Sequence, residues 1–174
     1  RALAAGLNVT LIACPGNRPL PAEAHQAQSQ WLVAGGVINQ PDIPWPQHID
    51  LIIDGLLGIG LRASPQGVYA TLIDTANRHR AAKIALDIPS GLSADSGAAP
   101  GSVIRADHTL TFVTLKPGLL TGQARDWVGH VHCNDLGLTA WLLTQPVQIE
   151  RMTVDHLPQW LKPRRPCAHK GEHG

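Results

Sequence analysis

Ile49-Asp50-Leu51-Ile52-Ile53-Asp54-Gly55-Leu56-Leu57-Gly58-Ile59-Gly60 reads as a buried strand that ends in a carboxylate and opens into a glycine-rich turn. Open α/β sheets present phosphate sites in this way, because glycines let backbone amides approach an anion at the carboxyl end of a strand. A second strand end follows, where Lys83-Ile84-Ala85-Leu86 stops at Asp87-Ile88-Pro89-Ser90-Gly91. Two carboxylates are therefore expected at one edge of one parallel sheet, and that pairing points to a small-molecule site.

Outward from these two strands the pattern alternates. Leu7 to Ala13 reads as a strand that stops at the breaker cluster Cys14-Pro15-Gly16-Asn17. From Pro21 a helix is expected, with Ala24, Ala27, Trp31 and Ala34 as one buried stripe and Gly35-Gly36 as its stop. Val37-Ile38 offers a short strand before the proline-rich loop 41–46. A helix from about Gln66 to His79 places Val68, Leu72 and Ala76 on one face, with Tyr69 and Ile73 beside it. His108 to Leu115 and Val128 to Cys133 read as further strands. Strand, helix, strand in succession predicts an α/β fold, a Rossmann-like three-layer α/β/α sandwich.

At 174 residues the chain holds one domain with a sizeable core and little more. A net charge of +1 gives no general attraction for nucleic acid or an anionic membrane, and no apolar stretch is long enough to span a bilayer. Cys14, Cys133 and Cys167 lack CxxC spacing, which favours a reduced, cytoplasmic protein. The opening Arg1-Ala2-Leu3-Ala4-Ala5-Gly6 reads as the end of a helix with its glycine stop, so the sequence is expected to begin inside a domain. Prolines 146, 158, 163 and 166 and the basic run 162–166 mark a linker and the start of a further unit.

Gly58 and Gly60 would admit a phosphate, a helix start after Ser64-Pro65 would add its positive end, and Arg62 either pairs with the anion or is simply solvated. The order G-x-x-G-x-G is not the dinucleotide fingerprint, so a tight turn without ligand is the alternative. Asp87, aimed across the strand ends by the turn Ile-Pro-Ser-Gly, is the candidate general acid/base, whereas a local turn cap is the plain alternative for both aspartates. Ser90 and loop carbonyls offer the oxygen atoms that a hard cation takes. Lys116 either neutralises a phosphate, tunes Asp87, or is a solvated turn residue. His169 and His173 with Cys167 do not complete a zinc set, and Trp31, Trp141 and Trp160 suit core or docking roles better than base stacking.

The segments Ala5 to Val9, Ile53 to Leu61, Ala85 to Leu92, Thr111-Phe112 with Leu115 to Leu119, and Lys162 to Arg165 with His169 to Gly174 together resemble the YjeF N-terminal domain family of NAD(P)H-hydrate epimerases. The likeness extends in order over nearly the whole chain and is greatest to the two-domain, bifunctional repair form. It implies an epimerase domain over 1–144, a linker over 145–161, and at 162–174 the start of an ADP-dependent dehydratase domain. The implied activity interconverts the R and S epimers of hydrated NADH and NADPH so that the fused dehydratase, with ADP, can restore the cofactor.

Carried over by motif, Asp54 and Ser90 would hold a potassium ion, Gly58, Ile59, Gly60, Leu61, Arg62, Ala63 and Ser64 would wrap the substrate phosphates, and Asp87 would contact the hydrated ring. Asp87 would begin by protonating the departing hydroxyl, leaving a nitrogen-stabilised cation that water re-enters from either face. Ile59 stands where the family has threonine, which removes a hydroxyl contact and keeps the backbone donors. The family's Asn-Asn-Gly-Gly-Asp-Gly loop is expected upstream of Arg1. The resemblance leaves a homo-oligomer open, gives no role in binding nucleic acid or membrane, and carries two competing readings, a non-catalytic ligand-binding or interaction module and a domain that only supports the dehydratase by docking.

Overall fold

The computed structural model describes residues 1–14, 19–147, 149–161 and 167. The basic run 162–166, His169 and His173, and with them nearly all of the expected dehydratase start, lie outside the described residues, as do Pro15 to Asn17 of the first breaker cluster. The chain forms two compact units, Arg1–Thr139 and Ala140–Gly174. The first carries the sheets. In the second, short helical turns are described, including α4 (Leu157–Trp160), and Trp141 and Trp160 are 54% and 71% exposed, so neither is a core aromatic.

The first unit is a parallel α/β structure of Rossmann-like type. Strands β1 (Leu11–Ile12) and β2 (Ile38–Asn39) pair in parallel around helix α1 (Ala22–Val33). Strands β3 (Leu51–Asp54), β4 (Ala82–Leu86), β5 (His108–Phe112) and β6 (His130–Asn134) form a four-stranded parallel sheet in sequence order. Helix α2 (Val68–Arg78) links β3 to β4, whereas a loop joins β4 to β5, and 3-10 turns lie between β5 and β6. The one-turn α3 (Thr139–Leu142) follows β6.

Alternation along the strands sets the layers. Asp54, Lys83, Ala85, Thr109 and Thr111 are buried on one face, where α2 contributes Leu72, Ile73 and Ala76. Two clusters form there. Ile73, Ala76, Ala85, Ile104 and Ala106 make one, against which Trp45, Ile52 and Leu56 pack. Ile88, Leu92, Ala94, Val103, Leu119, Ala124 and Val128 make the other. Each fully buried Ile or Leu among them contributes about 1.5–3 kcal/mol, so the loop after β4 is itself core. The other face carries Leu51, Ile53 and Leu86, which are exposed.

Three sequence expectations need correction. The first strand is two residues long, not seven, because residues 7–10 have no sheet partner among the described residues. The stripe on α1 is not buried: Ala24, Ala27 and Ala34 are exposed and only Trp31 is half-buried. Alanines at helical spacing hide little area, and α1 has no buried residue to anchor it. Helix α2 begins at Val68 behind Gly67, later than expected after Ser64-Pro65, since Gly67 at φ 55° breaks the run into the helix. Val68 itself is 41% exposed, while Ile73, placed beside the face, is at its centre with no exposure.

Candidate functional site

Both predicted aspartates sit at the carboxyl rim of the four-stranded sheet. Asp54 is the last residue of β3, opposite Ala85 of β4, and Asp87 follows β4 directly. The chain turns sharply there: Asp87 adopts a positive φ of 68°, its N–H donates to Leu110 O at 2.7 Å, and Ile88, Pro89 and Ser90 run straight into the core. That turn sends Ser90 back towards β3.

Ser90 and Asp54 form a closed joint. The Ser90 N–H donates to Asp54 Oδ2 at 2.8 Å and its hydroxyl to Oδ1 at 2.6 Å, while Leu56 N–H donates to Oδ1 at 3.2 Å. Leu57 N–H in turn donates to Ser90 Oγ at 2.8 Å, so the glycine turn is tied to the loop after β4. Asp54 is 5% exposed. Burial pushes its carboxyl above the ordinary value, and the bonds from Ser90 and Leu56 oppose that rise without cancelling it. Among the described residues no cation pairs with it. A buried carboxylate with only neutral donors, beside Ser90 Oγ and Leu57 O at 3.2 Å from each other, is an oxygen set that suits a hard cation.

Asp87 is held differently. Lys116 Nζ donates to its Oδ1 as an ion pair, and the same oxygen accepts from Thr111 Oγ1 at 3.2 Å and Phe112 N–H at 3.2 Å. The remaining contacts of Lys116 Nζ are Thr111 Oγ1 at 2.9 Å and Phe112 O at 2.7 Å, so the ammonium is fully used. Among the described residues Oδ2 has no hydrogen-bond partner, and the side chain is 26% exposed. Burial pulls the carboxyl upwards, yet the bond from Lys116, the Phe112 N–H, the Lys116 charge and the Thr111 hydroxyl together bring it below its ordinary value. The ion pair with Lys116 therefore favours the carboxylate form of Asp87.

The glycine turn borders this rim. Gly58, Ile59, Gly60, Arg62 and Ala63 are exposed, Leu61 and Ser64 half-buried. Added Cβ atoms at Gly58 and Gly60 would meet nothing within 4 Å, and neither residue has a positive φ. Ser64 packs against Gly101, where a Cβ would lie 2.0 Å from Ser64 Oγ, which brings the loop after β4 to the far end of the turn as well. Cavities of about 410 and 390 Å³ lie at the opposite, amino ends of the strands and include none of these residues. Thr111 is the site residue the sequence reading passed over; the alternation of His108 to Phe112, which turns Thr109 and Thr111 inward, is the signal that would have found it. Of the three roles open to Lys116, the pairing with Asp87 is the one adopted.

Comparison with known proteins bears on this rim. The family model described as YjeF-related protein N-terminus matches residues 1–118. The chain is 54% identical over 173 residues, 99% of its length, to the bifunctional NAD(P)H-hydrate repair enzyme Nnr of Escherichia coli (strain K12), of which it covers 34%. To the bifunctional NAD(P)H-hydrate repair enzyme of Leishmania major it is 43% identical over 98% of the chain and 32% of the relative. To the NAD(P)H-hydrate epimerase of Bordetella bronchiseptica it is 40% identical over 83% of the chain and 64% of the relative. The chain thus spans about a third of the length of its bifunctional relatives.

Proposed function

The chain belongs to the YjeF-related N-terminal family, and from that premise we propose that it interconverts the R and S epimers of hydrated NADH and NADPH. The observation that carries the reading is the joint of Asp54, Ser90 and Leu57, which ties a glycine turn and two acidic strand ends into one rim. Relatives bearing the names NAD(P)H-hydrate epimerase and NAD(P)H-hydrate repair enzyme support it. The competing reading as a non-catalytic module has no observation in its favour.

In this reading Gly58 to Ser64 receive the phosphates through backbone N–H groups, with Arg62 adding charge at the edge. Asp54 and Ser90 would hold a potassium ion, whose charge would offset the buried carboxylate. Asp87, with Oδ2 unpartnered among the described residues, moves the proton of the hydroxyl on the hydrated carbon. Because that carbon bears both oxygen and the ring nitrogen, shifting one proton lets a bond at the carbon break and re-form from the other side.

In the longer protein a fused dehydratase domain would use ADP and the S epimer. The free thiols Cys14, Cys133 and Cys167 accord with a reducing cytoplasm. No helix among the described residues is long and apolar enough to cross a membrane. Self-association is open to measurement by sedimentation. The deciding experiment supplies one purified epimer of hydrated NADPH to the full-length protein without ADP and follows the epimer ratio by chromatography. Equilibration well above the protein-free rate, lost in Asp87→Ala, is expected; equilibration at the protein-free rate rejects the assignment.

A further inference from the structure

Lys116 is spent entirely inside the protein. Its ammonium meets Asp87 Oδ1, Thr111 Oγ1 and Phe112 O, which leaves no N–H to give to a substrate. Asp87 Oδ1 is likewise saturated by Lys116, Thr111 and Phe112 N–H, while Oδ2 stays open. The carboxylate is thus locked by one oxygen and offered by the other. Lys116 is the one charged group in hydrogen-bond contact with Asp87 among the described residues. Thr111 and Phe112 contribute neutral donors, and the neighbouring carboxylate Asp54 directs its oxygens to Ser90 and Leu56.

We propose that Lys116 is a positioning residue that holds Asp87 by Oδ1 and leaves Oδ2 unpartnered, so that epimerisation begins by removal of the substrate hydroxyl proton and opening of the ring. This rests on the epimerase reading given above. The steps balance without any further reactant. Asp87 Oδ2 takes the proton of the hydroxyl on the hydrated carbon, and the carbon–oxygen bond becomes a carbonyl. The bond from that carbon to the ring nitrogen breaks, and its electron pair passes to the nitrogen, where conjugation with the carboxamide spreads the charge. The aldehyde turns, the nitrogen adds to its other face, and Asp87 returns the proton to the oxygen. The original oxygen stays on the carbon throughout. Departure of the hydroxyl as water would instead need an acid at the start, which a lysine-paired carboxylate does not supply.

The test uses the full-length protein without ADP. A single turnover on one epimer in ¹⁸O-labelled water is expected to give the inverted epimer with its oxygen unlabelled; one solvent oxygen gained per inversion overturns the ring-opening route. Lys116→Met is expected to raise the Asp87 midpoint, followed by carboxyl carbon NMR, by about one pH unit or more. The acid limb of kcat/KM should move up by the same interval, with Lys116→Arg closer to wild type. An unmoved midpoint, or a lower rate with the limb in place, overturns the role of Lys116. Thr111→Val, which keeps the charge and removes one donor, should give a smaller shift of the same sign if Lys116→Met does not fold. If the wild type fails to equilibrate the epimers, the epimerase reading falls, while the NMR titration still decides whether Lys116 governs Asp87.

Discussion

At the end of β3, Asp54 is buried and bonded only by neutral donors, and burial lifts its carboxyl; at the end of β4, Asp87 is partly exposed, paired with Lys116, and drawn down. The two groups have the same chemistry and the same rim. Their environments separate them, and such separation is how a fold assigns different tasks to like carboxylates. A buried Asp54 with no cation paired to it among the described residues suits ion holding, and an Asp87 paired with Lys116 by one oxygen and unpartnered at the other suits proton transfer. Ser90 couples the two ends, since it begins three residues beyond Asp87 and closes on Asp54.

The largest effect should come from breaking that coupling at Gly91. Its φ is 97°, and a Cβ there would lie 2.1 Å from Ser102 O and 3.0 Å from Val103 Cα. Both are backbone atoms of the buried loop, and Ile104 N–H donates to Ser90 O beside them. Gly91→Ala is expected to cost about 3 kcal/mol or more, from strain and clash together, read by urea unfolding. A loss below about 1 kcal/mol would mean the loop shifts freely, and the contrast between the two ends would then lack a fixed joint.

A smaller effect separates the ends by pH. Asp87 lies below its ordinary value of 3.8 in the fold, so the stability it contributes is present above that value and is lost as pH falls through its folded value. Asp54 lies above 3.8, so its contribution is greatest below that value and is lost as pH rises through its folded value. Without bound potassium, the wild type's advantage over Asp87→Asn should therefore shrink on acidification, and its advantage over Asp54→Asn should grow. Denaturant midpoints of the three proteins across the acid range in potassium-free buffer test this. Slopes of the same sign would erase the contrast.

How far this contrast could be read from the sequence differs between its parts. Strands β3 and β4 and helix α2 were legible because short β-rich runs end at Asp-Gly or Asp-Ile-Pro and because Leu72, Ile73 and Ala76 repeat at helical spacing. Both carboxylates could be set at one rim for the same reason. The Asp54–Ser90 joint was not legible in the residues themselves, since it links positions 36 apart and depends on how the 87–91 turn folds back; it entered only through the family resemblance. Asp87's ionisation was hidden for a related cause. It depends on Lys116, 29 residues on, and on Thr111 facing inward. The alanines of α1 misled because spacing without volume does not bury a helix.

The smallest effect on stability should fall on Gly58 and Gly60, and it sharpens the contrast most selectively. Gly91 is glycine because the chain itself has no room for a side chain there. Gly58 and Gly60 have open space at the Cβ position and no positive φ, so the fold places no demand on either. Alanine at each should change stability by no more than about 0.5–1 kcal/mol, in the direction of a gain because the unfolded chain is stiffened. If the turn serves to bring backbone N–H groups against a phosphate, the same methyl group stands where the phosphate must come. Each variant should then bind NADPH, used as a stable probe of the phosphate site, at least about tenfold more weakly, equivalent to 1.4 kcal/mol. Calorimetry on wild type and the two variants separates the cases: unchanged stability with weakened binding assigns the glycines to the ligand, whereas unchanged binding would leave Gly58 and Gly60 as an ordinary turn and move the phosphates away from the end of β3.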